Sequence, residues 1–93
     1  MEIILMINNE EKIYKAPFVS ARKLKDTFKL SNKIQNGIDE NTMDDLANYL
    51  VEIYGKQFTI DELYDGYPAQ DFFAKAMNDL QTVIGDFEDK LKN

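Results

Sequence analysis

The chain has no cysteine, histidine or tryptophan, and only two prolines and four glycines in 93 residues. Without cysteine there is no disulfide scaffold and no thiol nucleophile, and without histidine the commonest general base and metal ligand are missing. The apolar run at residues 3–7 is far shorter than the roughly 20 residues of a membrane span, and no basic segment precedes it as in a signal peptide. These absences favour a small domain of a reducing compartment.

The remaining residues give little indication of a catalytic or a metal site. The glycines are scattered, so no phosphate-binding loop is formed. The acid pairs at 44–45 and 61–62 fall in predicted first helical turns, where the helix dipole explains them. Asp61, Asp65 and Gly66 fit three positions of a calcium loop, but Leu63 and Phe72 would then stand where oxygen ligands are required. We therefore predict no catalytic residue, no cofactor and no metal ion.

Charge is unevenly distributed along the chain, whose net charge is −6. Residues 20–36 contain five basic side chains and one acid, whereas residues 37–93 contain thirteen acids and four lysines. A globally acidic domain repels phosphate backbones, so nucleic acid is an unfavoured partner.

The pattern of apolar residues predicts one domain, 1–93, of the α+β class and mostly α. An N-terminal β-hairpin is predicted at about 2–7 and 11–16, with Asn8, Asn9 and Glu10 in its turn. Helices are predicted at about 21–35 and 42–54, then a short one at 60–64 and a long one at 69–91. In the last helix an a/d-like seam predicts the core-facing side, formed by Phe73, Met77, Leu80, Ile84, Phe87 and Leu91. Phe72, Ala76 and Val83 flank this seam and broaden it to a core-facing stripe.

Leu24 and Phe28 lie on one side of the first predicted helix, and we expect both side chains to be buried. The opposite side of this helix carries a basic stripe. Ser20 is the predicted N-cap of this helix, and Thr42 that of the next helix. The basic stripe is formed by Arg22, Lys25, Lys29 and Lys33. It is interpreted either as a solvated helix face or as a surface that binds an acidic partner.

Residues 53–66 predict a connection between helices, here called the elbow. Gly55 is placed to end one helix in the left-handed conformation, and Asp65-Gly66 to end the next. Thr59 and Glu62 have capping-box spacing, and Phe58 and Leu63 have the spacing of a hydrophobic staple.

The elbow also resembles the tail assembly chaperones of siphophages that infect Gram-positive bacteria, a family similar to the lambda G-type chaperones. The resemblance extends over about 2–80 and is most specific at Val51, Ile53, Tyr54, Gly55, Gln57, Phe58, Thr59, Asp61, Leu63, Tyr64, Asp65 and Gly66.

The resemblance implies a non-enzymatic chaperone in the host bacterial cytoplasm that is absent from the mature virion. It would bind the tape measure protein, keep it soluble and help to recruit major tail tube subunits. Contact with the tube protein would be made through a longer frameshifted product, of which this chain looks like the short form.

Two surfaces are candidates for these contacts. One is an apolar groove formed by Tyr67, Met77, Phe87 and Leu91, suited to a helical client. The other is the basic stripe, which could bind the acidic half of another copy and form salt-sensitive multimers. The alternative function is a small prophage-encoded regulatory domain that binds DNA or protein through the basic helix at 22–33.

Overall fold

The computed structural model describes residues 1–85. Two strands, β1 (Glu2–Ile7) and β2 (Glu10–Lys15), are followed by the helices α1 (Ala21–Gln35), α2 (Glu40–Ile53), α3 (Ile60–Gly66) and α4 (Phe72–Ile84). A short 3-10 turn, Ala69–Asp71, precedes α4. The fold is therefore α+β and mostly α, as predicted.

β1 and β2 form an antiparallel hairpin in which Ile7 pairs with Glu10. The two intervening residues, Asn8 and Asn9, have φ values of 54° and 65°. Two successive positive φ angles make the type of tight turn whose twist matches that of the strands, and asparagine tolerates this conformation better than most residues. β2 therefore starts one residue before the predicted position.

The hairpin covers the helices with one face only. Ile3 and Leu5 are buried, and Tyr14 packs its ring against Phe58 with 5.1 Å between ring centroids. Phe58 also contacts Tyr54, at 5.9 Å, so the elbow joins the sheet to the end of α2. The two strands thus gain the apolar support that an isolated hairpin lacks.

α1 has the predicted bounds but faces the core with other residues. Thr27 and Leu30 are buried, whereas Phe28, expected inside, is 45% exposed. The Thr27 hydroxyl donates to the Lys23 carbonyl oxygen at 2.7 Å, so it accepts its second hydrogen bond, also 2.7 Å, from the hydroxyl of Tyr49. A polar residue whose hydrogen bonds are satisfied occupies the core position that apolar spacing assigned to Phe28.

α2 begins two residues earlier than predicted, because Asp39 and not Thr42 is its N-cap. The Asp39 carboxylate accepts from the backbone N–H of Thr42 at 2.9 Å. Thr42 lies in the first turn and donates its hydroxyl to the same carboxylate at 3.0 Å. At α1 the N-cap position is Ser20 as predicted, but its side chain makes no capping hydrogen bond.

The elbow has the predicted local chemistry. Gly55 has a φ of 75°, and the N–H groups of Gly55 and Lys56 bond to the carbonyls of Glu52 and Val51 in a Schellman motif. The capping box is complete, with the Thr59 and Glu62 side chains each accepting from the other residue's N–H.

α4 differs most from its prediction. It starts at Phe72 after the 3-10 turn and ends at Ile84, where Gly85 takes a φ of 73°. α4 therefore does not continue through Gly85 as predicted, and the predicted helix end at 91, with Phe87 and Leu91, lies outside the described residues. The seam is partly correct: Leu80 is buried and Ile84 packs against the core, but Phe73 is exposed and Met77 only half-buried. The buried positions of α4 are Phe72, Ala76, Asp79 and Leu80, so its inner side is shifted towards the predicted flanking residues Phe72 and Ala76.

The core is built around α2, which contacts α1, α3 and α4. The buried apolar residues are Ile3, Leu5, Leu30, Leu46, Ala47, Tyr49, Leu50, Ile53, Tyr54, Phe58, Leu63, Phe72, Ala76 and Leu80.

Candidate partner-binding surfaces

The outward side of α1 combines positive charge with an exposed ring. Arg22, Lys25 and Lys29 are exposed, and the exposed Phe28 lies beside Lys25 because residues three apart share a helix face. The exposed Asp26 is spaced four residues from Arg22 and three from Lys29, so one acid lies on the same side. Within residues 1–85 none of these three cations forms an ion pair. We call Arg22, Lys25, Phe28 and Lys29 the α1 outer face.

Lys33, the fourth member of the predicted stripe, has a partner within the chain. Its ammonium group donates to the Asp45 carboxylate on α2, and this hydrogen bond raises the pKa of Lys33. Lys23 similarly bonds to Glu52 at 3.1 Å and lowers the pKa of that carboxyl. Lys23 and Lys33 both face α2. The basic side of α1 is therefore divided into the α1 outer face, whose cations have no ion-pair partner within residues 1–85, and an edge where acidic side chains of α2 neutralise the lysines.

A shallow groove of about 310 Å³ lies between α1 and α2. Basic and acidic side chains both line it, with Lys33, Asp45 and Glu52 among them. Lys29 of the α1 outer face also lines this groove. Because charges of both signs meet there, the groove offers no field that would select an anionic or a cationic ligand.

The members of the predicted apolar groove are not brought together by the described residues. Tyr67 is half-buried against the core and caps the end of α3, and Met77 is half-buried on α4. Neither lines the groove between α1 and α2. The other two members, Phe87 and Leu91, lie outside the described residues, so this binding surface stays a prediction.

Several exposed apolar side chains were missed by the sequence patterns. Phe18, just before α1, is 91% exposed. On the hairpin, Ile4, Met6 and Ile13 are 45%, 49% and 59% exposed and share the face turned away from the helices. The alternation of β1 was hidden because its apolar residues are continuous, so the sequence did not distinguish the inner from the outer face.

A buried polar cluster links α2 to α4. Asp79 is fully buried, and its carboxylate accepts from the Tyr54 hydroxyl at 2.7 Å and from the Lys75 ammonium group at 2.9 Å. Lys75 also donates to the Glu2 carbonyl oxygen of β1. Every partner is satisfied inside the cluster, which therefore has a structural explanation and needs no ligand.

Tyr64 joins the elbow to the start of α2 through its hydroxyl, which donates to the Asp44 carboxylate. Burial, this hydrogen bond and the Asp44 charge together raise the pKa of Tyr64 to about 12. Burial likewise raises the pKa values of Tyr49 and Tyr67. A tyrosine with a raised pKa contributes stability that is complete below pH ~10 and is lost as the pH rises through the folded-state value.

We expect Asp44→Asn to lower the pKa of Tyr64 from about 12 while leaving it above 10, because the charge is removed and the burial remains. The measurement is an ultraviolet titration of tyrosinate, with Tyr64→Phe used to assign the signal. Asp61→Asn, on an exposed first-turn acid of α3, is the control and should leave the titration unchanged. An unaltered Tyr64 titration in Asp44→Asn would contradict the assigned hydrogen bond.

Neither a metal site nor a membrane-spanning helix is present in the described residues. No cluster of three or more acidic side chains in residues 1–85 is arranged to hold a metal ion. Over the same residues, no helix has the length and apolar character needed to cross a membrane.

Comparison with protein families identifies the chain. A family model described as phage tail chaperone protein matches residues 1–93. The chain belongs to the phage tail chaperone family. No curated protein and no solved structure matched it.

Family membership agrees with the resemblance found at the elbow. Because of this membership, the exposed surfaces of this tail chaperone are considered as binding sites. A phage tail chaperone acts through contacts with other proteins, so free cations and exposed rings are of more interest than its satisfied buried polar groups. The α1 outer face is the described surface that combines both features.

Proposed function

We propose that this tail chaperone binds the tape measure protein, keeps it soluble and helps to recruit tail tube subunits during assembly. Family membership over residues 1–93 supports a role in tail assembly. The observation that carries the choice of surface is the exposure of Phe28 beside Lys25, on a helix side with three cations that have no ion-pair partner in residues 1–85.

A long helical client is a suitable partner for such a surface. An amphipathic helix buries its apolar stripe on exposed rings, while acidic side chains beside the stripe meet lysine and arginine. Phe28 supplies the apolar contact and Lys25 and Lys29 supply the charge. The chaperone would act in the host cytoplasm and leave before the virion is complete, and a longer frameshifted form would contact the tube protein.

The regulatory alternative uses the same helix. An exposed Phe28 removes one objection to single-stranded nucleic acid, since such binders combine cations with exposed rings. The net charge of −6 still opposes phosphate binding. A protein client therefore remains the better match.

The test is co-expression of the full chain with the tape measure protein encoded near it, with the soluble yield of the tape measure protein and its co-purification as readouts. The wild type is expected to raise the soluble yield and co-purify. The variant Lys25→Glu/Phe28→Ser is expected to lose most of both, because the charge is reversed and the apolar contact removed.

A control changes one exposed lysine and one exposed apolar residue elsewhere, as Lys56→Glu/Ile38→Ser, and should behave like the wild type in both readouts, although it removes the surface ion pair of Lys56 with Glu52. No complex with the wild type would overturn the proposed client, and equal loss in both variants would overturn the proposed surface. Binding of single-stranded DNA that Lys25→Glu/Phe28→Ser abolishes, with client binding intact, would favour the regulatory alternative.

A further inference from the structure

The outer edge of β2 is open in the part of the chain that the structure describes. The Ala16 N–H donates to the Met1 carbonyl, which makes this a hydrogen-bonded pair of the hairpin. Such pairs alternate along an antiparallel ladder, so the backbone groups of Glu11, Ile13 and Lys15 point away from β1. All three residues are exposed. Their N–H and C=O groups form a template for another strand.

By contrast, the opposite edge of the hairpin is covered. Gly66 at the end of α3 lies against the Met6 backbone, and the Glu2 carbonyl accepts from Lys75 on α4. On the β2 edge the single interaction found within residues 1–85 is the Gln57 side-chain amide donating to the Lys15 carbonyl at 2.7 Å. That oxygen keeps a second lone pair for another donor. Within residues 1–85, the β2 edge is therefore the one available to extend the sheet.

We propose that two copies of this chain pair through β2 in an antiparallel arrangement centred on Ile13, making a continuous four-stranded sheet. In this register Ile13 faces Ile13 of the second copy, and Glu11 faces Lys15 of the second copy twice, by symmetry. Opposite charges directly across two strands stabilise a sheet, and like charges destabilise it. Charge complementarity thus identifies the occupant of the edge as β2 itself.

Other ways of pairing two β2 strands place fewer opposite charges across from each other. Shifting the symmetry centre to Lys12 places two lysines opposite each other and Glu11 opposite Ile13. Parallel pairing brings Glu11 close to Glu11 and Lys15 close to Lys15. The register centred on Ile13 also extends the apolar contact, because Ile4 lies opposite Ile13 within each hairpin. A row of four isoleucines then crosses the sheet, and each Ile13, whose side chain is now 59% exposed, gains a second apolar neighbour.

A charge exchange tests both the partner and the register. Sedimentation velocity over a concentration series should show the wild type moving from monomer towards dimer. Glu11→Lys and Lys15→Glu should each weaken this association about tenfold or more, since both symmetric pairs become like-charged. An equimolar mixture of the two single variants should regain it as a heterodimer, and the double variant Glu11→Lys/Lys15→Glu should regain it alone.

Recovery of the dimer in the double variant distinguishes a loss of association from a loss of folding. Lys15→Glu places two acids opposite each other within the hairpin, at Glu2, and the double variant keeps that defect while restoring the pairs between copies. A wild type that stays monomeric, or a mixture that fails to associate, would overturn the proposal and leave the charges of β2 as a device that keeps a free edge unpaired. Lys25→Glu/Lys29→Glu should leave the dimer intact, which distinguishes it from multimers formed through the basic stripe.

Cross-linking supplies an independent measurement, because the chain has no cysteine of its own. Ile13→Cys should form an intermolecular disulfide under mild oxidation, since facing residues of such a pair lie ~5.5 Å apart, within disulfide reach. Met6→Cys is also exposed but lies on β1, three strand spacings or ~14 Å across the sheet and four residues or ~13 Å along it from its counterpart, and should not cross-link efficiently. Equal cross-linking of both variants would contradict the pairing.

Discussion

Replacing Lys75 with methionine is expected to lower the free energy of unfolding by about 3 kcal/mol, because it leaves the buried Asp79 carboxylate without its cation. The Lys75 and Asp79 side chains are 17% and 1% exposed, so solvent screens the pair little. The substitution also removes the hydrogen bond to Glu2. Urea unfolding followed by circular dichroism measures the loss.

The matched control is Lys25→Met, which makes the same chemical change at an exposed site of α1 and should alter stability by no more than about 0.5 kcal/mol. The double variant Lys75→Met/Asp79→Asn should recover part of the loss, because a neutral amide still accepts from the Tyr54 hydroxyl. Additive single effects would show that the ion pair carries no coupling energy, contrary to this prediction.

Gly66→Ala is the second substitution with a large expected effect, a loss of about 2 kcal/mol from overpacking. An added Cβ would lie 2.8 Å from the Met6 carbonyl oxygen and 3.2 Å from the Met6 nitrogen. Both contacts are with backbone atoms, which cannot move aside by changing rotamer. α3 would have to withdraw from β1, despite the better helix propensity of alanine.

Gly37→Ala is the comparison, since nothing lies within 4 Å of its added Cβ and its cost comes from a φ of 114°. Both variants should unfold at lower urea than the wild type. Only Gly66→Ala should also shift the amide resonances of Leu5 and Met6 in nuclear magnetic resonance spectra. Unchanged resonances there would contradict the close approach of α3 to the sheet.

Much of the fold could be predicted because the deciding interactions are local. The hairpin turn follows from two asparagines between apolar runs, and the elbow follows from a glycine stop and a capping box. These signals act within a few residues and do not depend on what packs around them. The family resemblance of the elbow was also confirmed, since the family model covers the whole chain.

Gly66 is explained partly by its local sequence and partly by a tertiary contact. Its place at the end of a short helix was predicted from its sequence neighbours, and α3 does end there. Its φ angle is not in the left-handed region, so the turn does not require glycine. Glycine is required because the backbone of β1, about sixty residues away in sequence, leaves no room for a Cβ at this position. No local sequence pattern indicates that contact.

The sequence by itself determined the order of elements, the hairpin turn and the elbow, because these depend on backbone conformations that neighbouring residues set. Tertiary structure decided how α1 and α4 are rotated. Tyr49 bonds to Thr27 and Tyr54 bonds to Asp79, so α2 draws one polar residue of each helix into the core. Apolar periodicity places polar residues outside, and it therefore missed the rotation that exposes Phe28 and with it the α1 outer face.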